Sequence, residues 1–299
     1  MLVQQVVNGL TVGSIYALVA LGYTMVFGVL KMINFAHGDL FALGAYLGLT
    51  FLLWGALVPS AGGVVALLLI GLLAALVVGL SGVLVERVAY RPLRGAGRLP
   101  AVVSALGVSV FIQNGIMLVW GAFPVAFPHD LVPDVTWSVG GVTFSLMRLV
   151  ILGGSLLLML ALYLFIQYTK LGAAMRAIAV DHETARLMGI DVNRLIQLVF
   201  LVGAALGGLA GVMVGLYYGQ LNFTMGWLYG LKAFTAAILG GIGNIPGAMV
   251  GGLVLGLAET MAAGYVAGEW KDAVAFFILI LILLVRPTGL LGERVAEKI

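Results

Sequence analysis

Nine long apolar runs, separated by short polar segments, dominate this chain of 299 residues. A bilayer core takes about 20 apolar residues per helix, and backbone polar groups inside it must be paired within the protein. The pattern therefore predicts an all-α polytopic membrane protein with about nine transmembrane helices and one membrane domain over residues 1–299. The runs lie at about 6–30, 40–58, 62–85, 100–120, 148–167, 195–218, 228–243, 246–264 and 272–285.

The helix count could instead be eight or ten. Residues 228–243 and 246–264 are joined by GGIGNIPG, and they could form two half-helices that meet inside the membrane. The first run has no Lys or Arg before it and is longer than a signal-peptide core, so we expect a retained helix and not a cleaved leader.

The composition excludes several function classes. The chain is 63% hydrophobic with a mean hydropathy of +1.18, values far from those of a soluble domain. It has no cysteine, so disulfides, thiolate metal sites and cysteine nucleophiles are excluded. The net charge of +3 comes from basic residues grouped in particular loops, which indicates orientation in a membrane and no nucleic-acid partner.

The distribution of Lys and Arg predicts the orientation. Basic residues group in the segments 86–98, 168–194 and 286–298, whereas the long segment 121–147 has none. By the positive-inside rule the first three segments face the cytoplasm and the fourth faces outside. The amino terminus is then outside and the carboxyl terminus is cytoplasmic.

A ladder of glycines recurs every four residues within the sixth apolar run. Small residues at this spacing let two helix backbones approach closely, which supports helix association where lipid offers no hydrophobic driving force. The ladder is therefore a packing stripe, or a smooth face along which helices slide during gating. It consists of Gly203, Gly207, Gly211, Gly215 and Gly219.

Asn34, His37 and Asp39 lie together at a helix break, in KMINFAHGDLFALGAY. In one interpretation Asp39 caps a helix that starts near Leu40, while Asn34 and His37 satisfy loop backbone groups. In the other, the three side chains belong to a translocation pathway or its gate. No second histidine or carboxylate follows at helical spacing, so we predict no metal site.

Three further polar residues lie within or at the start of apolar runs. Glu259 is the clearest candidate for an isolated intramembrane carboxylate, either solvated near the outer end of its run or part of a pathway or proton sensor. Asn114, in VFIQNGIML, either hydrogen-bonds between helices or contacts a ligand. Lys232 can extend to the nearest interface. The pathway candidates are Asn34, His37, Asp39, Asn114 and Glu259.

The polar segment 170–194 predicts two short helices with one apolar and one charged face. Asp181 is a good N-cap, Glu183 and Arg186 suit the first and last turns, and Gly189 can end the element, so a helix is expected over 182–188. Upstream, an apolar stripe runs to Ile178. The segment is either an amphipathic interfacial helix or a docking surface for a partner outside the membrane. The candidate docking residues are Arg176, Asp181, His182, Glu183, Arg186 and Gly189.

Several segments along the chain together resemble the permease of a branched-chain amino acid ABC importer, the shorter of its two membrane subunits. NFAHGD and GGIGNIPGA are the most specific matches, and RPLRGAGRLPAVVSALGVSVFIQN and RPTGLLGE extend the resemblance over nearly the whole chain. The resemblance implies a bacterial inner-membrane heterodimer with a second, homologous permease. It also implies two cytoplasmic ATPase subunits and a periplasmic binding protein that delivers leucine, isoleucine or valine. Segment 170–194 would then be the coupling loop that sits in a cleft of the ATPase.

The chain contains no G-x-x-x-x-G-K-[ST] segment, so it has no phosphate-binding loop of its own. ATP and Mg²⁺ are therefore expected on partner ATPases, and no enzymatic activity or cofactor is expected here.

Related importers for urea, short amides or other amino acids would look similar. A stand-alone secondary transporter or channel would need coupling carboxylates or a selectivity ring near the midplane, and the sequence offers only Glu259. The three histidines of the chain do not form a cluster like those of enzyme active sites.

Overall fold

The computed structural model of the protein describes residues 2–54, 63–128, 135–139 and 141–292. The end of the second apolar run, the middle of segment 121–147 and the last residues of the basic tail lie outside the described residues. The predictions made for those parts remain predictions.

The described chain is almost entirely helical. Its helices are α1 (Leu2–Leu30), α2 (His37–Leu53), α3 (Gly63–Val85), α4 (Arg98–Trp120), α5 (Leu146–Tyr168), α6 (Lys170–Val180), α7 (His182–Leu187), α8 (Val192–Tyr218), α9 (Met225–Gly240), α10 (Ile245–Tyr265) and α11 (Trp270–Val285). A π-helical turn (Glu86–Tyr90) and a 3₁₀ turn (Arg91–Leu93) continue α3.

Within the described residues, four short strands form two antiparallel pairs. Strand β1 (Val125–Ala126) pairs with β4 (Gln220–Leu221), and β2 (Thr136–Val139) pairs with β3 (Val142–Ser145). The first pair joins the segment after α4 to the segment after α8. The second precedes α5 directly.

Each of the nine predicted apolar runs coincides with one helix, but these helices differ in length. In the described residues six are long and apolar enough to cross a membrane, namely α1, α3 with its terminal turns, α4, α5, α8 and α10. Helices α2, α9 and α11 have only 17, 16 and 16 residues. The polytopic all-α class is confirmed, while a count of nine transmembrane helices stays a prediction.

Helix α1 lies at the centre of the bundle. It packs against α10 along most of its length and also contacts α8, α9, α5 and α2. Glycines make the α1–α10 approach possible, since a Cβ at Gly13 would lie 2.8 Å from the Cα of Leu253. Helices α4 and α5, in contrast, bury only small parts of their surfaces.

The two ends of α1 mark the two ends of the bundle. At the Leu2 end, Gln4 bonds to the backbone of Thr143 in β3. At the Leu30 end, Val29 accepts a bond from His182 in α7. The junction between α9 and α10 also lies at the Leu30 end, because Gly243 approaches Gly28 there. The alternative in which GGIGNIPG joins half-helices in the middle of the membrane is therefore not what the structure shows.

Helix α2 instead begins inside the bundle. Its first residue, His37, contacts Gly22, and eight further residues of α1, about 12 Å of helix, separate Gly22 from the Leu30 end. Helix α9 begins at a similar depth, because a Cβ at Gly226 would lie 2.6 Å from Asp39 Oδ1. The amino-terminal ends of α2 and α9 thus meet in the interior.

The glycine ladder of α8 faces α1 and α2. Gly203 approaches Gly22, Gly207 approaches the His37 ring, and a Cβ at Gly211 would overlap the carbonyl oxygen of Phe41. Gly215 lies against the ring of Phe127. Gly219 differs from the other four because it ends α8 with a φ of 67°.

Candidate functional site

Asn34 and His37 organise the break between α1 and α2. The Oδ1 atom of Asn34 accepts bonds from Ala36 N at 3.1 Å and from the Tyr90 hydroxyl at 3.0 Å. The Nε2–H of His37 donates to Val19 O at 3.1 Å, and its ring packs edge-on against Tyr23. Both residues are buried. Asn34 thus satisfies a backbone N–H at the break, while His37 ties the start of α2 to a carbonyl oxygen in the interior of α1.

Asp39 does not cap a helix at Leu40, contrary to the first interpretation, because α2 already begins at His37 and Asp39 lies in its first turn. Its side chain is buried and accepts a hydrogen bond from Ser109 Oγ, midway along α4. Its other oxygen has no hydrogen-bond partner among the described residues. The amino-terminal ends of α2 and α9 meet beside it, and their dipoles favour a negative charge there.

Glu259 is neither isolated nor solvated at an interface, and this corrects the sequence prediction. It is 3% exposed and pairs with Lys232, whose Nζ lies 3.1 Å from Oε1 and 3.2 Å from Oε2. The hydroxyl of Tyr16 donates to Oε2 at 2.8 Å. Lys232 also lies 2.5 Å from Asp272 Oδ1. Because Lys232 is itself buried and held between these two carboxylates, it does not extend to an interface as predicted.

The cluster of Tyr16, Lys232, Glu259 and Asp272 joins four helices. Tyr16 belongs to α1, Lys232 to α9, Glu259 to α10 and Asp272 to the first turn of α11. The attraction between Lys232 and Glu259 offsets part of the cost of burying their two charges, while the side chain of Asp272 is 38% exposed. The cluster therefore fixes the short helices α9 and α11 to the two longer ones.

Asn114 lies away from both buried polar groups. It is exposed on α4, and its Nδ2 donates to Val110 O of the same helix at 2.8 Å. The structure thus brings Asn34 close to His37 and Asp39, places Glu259 in a second cluster, and leaves Asn114 on an outer surface. Asn34, His37, Asp39 and Glu259 are all buried inside the subunit.

The predicted short helices of segment 170–194 are present as α6 and α7. Thr169 caps α6, and Asp181 caps α7 by accepting from Glu183 N at 2.9 Å and Thr184 N at 3.4 Å. Glu183 lies in the first turn of α7 and Arg186 in its last. Gly189 then adopts a φ of 81°, which ends the element.

Two bonds attach this pair of helices to the bundle. His182 Nε2–H donates to Val29 O of α1 at 2.8 Å, and Arg176 donates to the Ile166 carbonyl of α5. The second contact places a cation at the carboxyl end of α5, where the helix dipole favours it. Met175 and Ile178 pack inward. The two bonds thus link α6 and α7 directly to the carboxyl-terminal ends of α1 and α5.

The outward surface of α6 and α7 combines charge with exposed apolar side chains. Val180, Leu187 and Met188 are 88%, 87% and 78% exposed, next to the exposed Glu183 and Arg186. A groove of about 480 Å³ lies between the two helices and the segment that follows them. We call this surface the α6–α7 tip. Exposed apolar groups beside charged groups are typical of a protein-binding surface.

In the sequence, Arg94 served only to indicate the orientation of its segment. In the structure it also links two segments at the Leu30 end of the bundle. It pairs with the buried Glu86 and donates to Asn193 Oδ1 at 2.8 Å. Burial lowers the pKa of the Arg94 guanidinium, and Glu86 opposes that effect. The contact ties the end of α3 to the start of α8, directly after the tip.

Sequence reasoning missed the partners Ser109, Tyr90 and Asp272. Each lies far along the chain from the residue it contacts, so no local spacing could reveal the pair. The only available signal was the cost of a buried charge, which requires a partner for Asp39 and for Glu259.

The chain is similar over nearly its whole length to transport proteins. Residues 5–283 match the model of a family described as "Branched-chain amino acid transport system / permease component". The chain is 47% identical over 302 residues to the high-affinity branched-chain amino acid transport system permease protein BraD of Pseudomonas aeruginosa, covering 99% of this chain and 97% of that protein.

Two other relatives show the range of the similarity. The permease protein LivH of Escherichia coli K12, from a system described in the same words, is 46% identical over 303 residues, covering 99% of this chain and 97% of that protein. A xylose/arabinose import permease protein, XylH of Sulfolobus acidocaldarius, is 28% identical over 129 residues, covering 39% of this chain and 32% of that protein.

Proposed function

Since the chain belongs to the permease component family of branched-chain amino acid transport systems, we propose that it is the permease subunit of an ATP-driven importer for leucine, isoleucine and valine. It is a membrane transport subunit and not an enzyme. The finer parts of the proposal concern its partners, its orientation and its coupling to ATP.

The observation that carries the proposal is the α6–α7 tip. It offers exposed apolar and charged groups on helices that are bonded to α1 and α5. An ATPase domain that binds this surface can move the Leu30 ends of the membrane helices. ATP drives transport only if its binding free energy differs between the two arrangements of those helices. Two ATPase subunits, one for each permease of a heterodimer, bind the ATP that drives transport.

The positions of basic segments support the proposed orientation. The segment after α3 contacts the start of α8, the α6–α7 segment contacts α1 at Val29, and Leu290 in the basic tail bonds to Leu239. All three thus lie at the Leu30 end, which is cytoplasmic by the positive-inside rule. The Leu2 end then faces outside, where a periplasmic binding protein would deliver the solute.

The pathway role of Asn34, His37, Asp39, Asn114 and Glu259 remains part of the proposal in a modified form. Four of these residues are buried among protein groups, so they are proposed to support the helices that line the path. Asn114 is exposed on α4. We propose that this face contacts the second permease or the path itself.

The test is uptake of radiolabelled leucine by proteoliposomes that contain this subunit with its second permease, two ATPases and binding protein. Uptake that requires ATP and the binding protein supports the proposal. Leucine movement by the purified subunit alone would contradict it and favour a stand-alone transporter. Uptake of urea, short amides or other amino acids, with none of leucine, would assign the subunit to a related importer.

A further inference from the structure

The Leu2 end of the bundle holds an open, polar cavity of about 840 Å³. Four elements meet around it: α1, the β2–β3 pair, the first turn of α5 and the last turn of α8. Its main polar lining is Gln4, Asn8, Thr143, Arg148 and Tyr217. The cavity lies at the opposite end from the α6–α7 tip, and the proposed coupling of the subunit does not use it.

Among the described residues that line the cavity, Arg148 is the one with a full charge. It is half-buried in the first turn of α5, and its Nη1 donates to Asn8 Oδ1 at 2.9 Å. The same Asn8 oxygen accepts from Gln4 Nε2 at 3.2 Å, so it is already shared. A guanidinium has five N–H donors, and no Asp or Glu in the described residues pairs with this one.

The surroundings of Arg148 favour an anion in the cavity. A cation at the start of a membrane helix is costly without a partner, and the amino-terminal end of α5 adds positive potential of the same sign. A carboxylate matches the fork of N–H donors on a guanidinium. The side chains of Met147 and Tyr217 beside it provide an apolar wall.

We propose that Arg148, positioned by Asn8, binds the carboxylate of the incoming amino acid, and that the cavity is an entry subsite for the solute. The carboxylate lies on the guanidinium and the aliphatic side chain lies against Met147 and Tyr217. This inference rests on the proposed function, because it takes the Leu2 end as the outer face and an amino acid as the cargo.

The first experiment measures protection of Arg148 from phenylglyoxal, an arginine-selective reagent, in the complete importer without its binding protein. Mass spectrometry reports modification of Arg148 and, as a reference, of the exposed Arg87 at the other end. Millimolar leucine is expected to slow modification of Arg148 severalfold and to leave Arg87 unchanged. Leucinamide, which lacks the carboxylate, is expected to protect neither. Equal protection by both compounds, or by neither, would overturn the inference.

The second experiment separates a solute carboxylate from an acidic side chain of the binding protein. Arg148→Gln is expected to lower the maximal uptake rate about tenfold, as for one lost charge-assisted hydrogen bond, without changing the concentration of loaded binding protein that gives half-maximal uptake. A change in that concentration alone would mean that Arg148 docks the binding protein and would overturn the inference. Lys271→Gln, which removes another cation near the same end, is the matched control.

Leucine uptake by the wild-type importer distinguishes a failure of the entry subsite from a failure of the proposed function. If the wild-type importer takes up leucine but Arg148 is not protected, only the entry subsite is wrong. If the wild-type importer does not take up leucine, the proposed function itself fails.

Discussion

Lys232 and Glu259 form an ion pair between α9 and α10, with Nζ 3.1 Å from Oε1 and both side chains almost completely buried. Asp272 also pairs with Lys232, and the hydroxyl of Tyr16 donates to Glu259. Because the four groups come from four helices, the pair holds together a part of the bundle in which two helices are short. It is therefore a structural link whose removal can be tested directly.

Lys232→Met should destabilise the subunit by about 3 to 5 kcal/mol, because it leaves Glu259 as a buried charge without its partner. The measurement is the melting temperature of the solubilised complex, which should fall. Lys271→Met is the control, since Lys271 forms no ion pair among the described residues. Adding Glu259→Gln and Asp272→Asn should restore part of the loss. An unchanged melting temperature in Lys232→Met would contradict this role.

Glu183→Ala combined with Arg186→Ala should uncouple ATP hydrolysis from transport. Both side chains are exposed on the α6–α7 tip, so their loss weakens docking and leaves the buried core intact. Leucine uptake per ATP hydrolysed is expected to fall about tenfold, which corresponds to about 1.4 kcal/mol of lost interaction. Membrane insertion should be unchanged. Glu269→Ala with Lys271→Ala, which removes the same charges at the other end, should leave coupling intact, and normal uptake by the tip variant would refute the prediction.

Gly211→Ala should disrupt the contact between α8 and α2, because the added methyl group overlaps the carbonyl oxygen of Phe41. We expect a loss of about 1 to 3 kcal/mol, as for overpacking of a tight core. The yield of folded subunit in size-exclusion chromatography checks this. Gly153→Ala on α5 is the control, since nothing lies within 4 Å of a Cβ there. Equal yields for the two variants would show that α8 can shift without cost.

Ser109→Ala should destabilise the centre of the bundle by about 1 to 3 kcal/mol, because Asp39 loses a hydrogen bond while its carboxylate stays buried. Thermal unfolding of the complex measures the effect. Ser81→Ala is a matched control, since the hydroxyl of Ser81 only bonds to Val77 O of its own exposed helix turn. A larger loss of stability in Ser81→Ala than in Ser109→Ala would contradict a stabilising hydrogen bond between Ser109 and Asp39.

The sequence predicted those features that depend on local patterns. The apolar runs located nine helices, and the cap at Asp181 with Gly189 located α7. The positions of Lys and Arg suggested which segments lie together at one end. Each of these signals acts over a few residues, through helix periodicity, capping or loop charge.

Contacts between distant segments could not be predicted in the same way. Lys232 and Glu259 were read separately, as a residue reaching an interface and an isolated acid, although they pair across two helices. The depth at which α2 begins was also missed. It depends on the glycine at position 22, which leaves room for the His37 ring, and such a fit is a property of packing in three dimensions.

The shortness of α2 and α9 has a consequence for how the subunit meets lipid. Both are wrapped by longer helices, so neither has to match the thickness of the hydrocarbon layer. That adjustment falls on α3, α4, α5 and α10, whose sides are largely uncovered in this chain. A thinner or thicker membrane would therefore tilt these outer helices first, and the tilt of α4 would reach Asp39 through its hydrogen bond to Ser109.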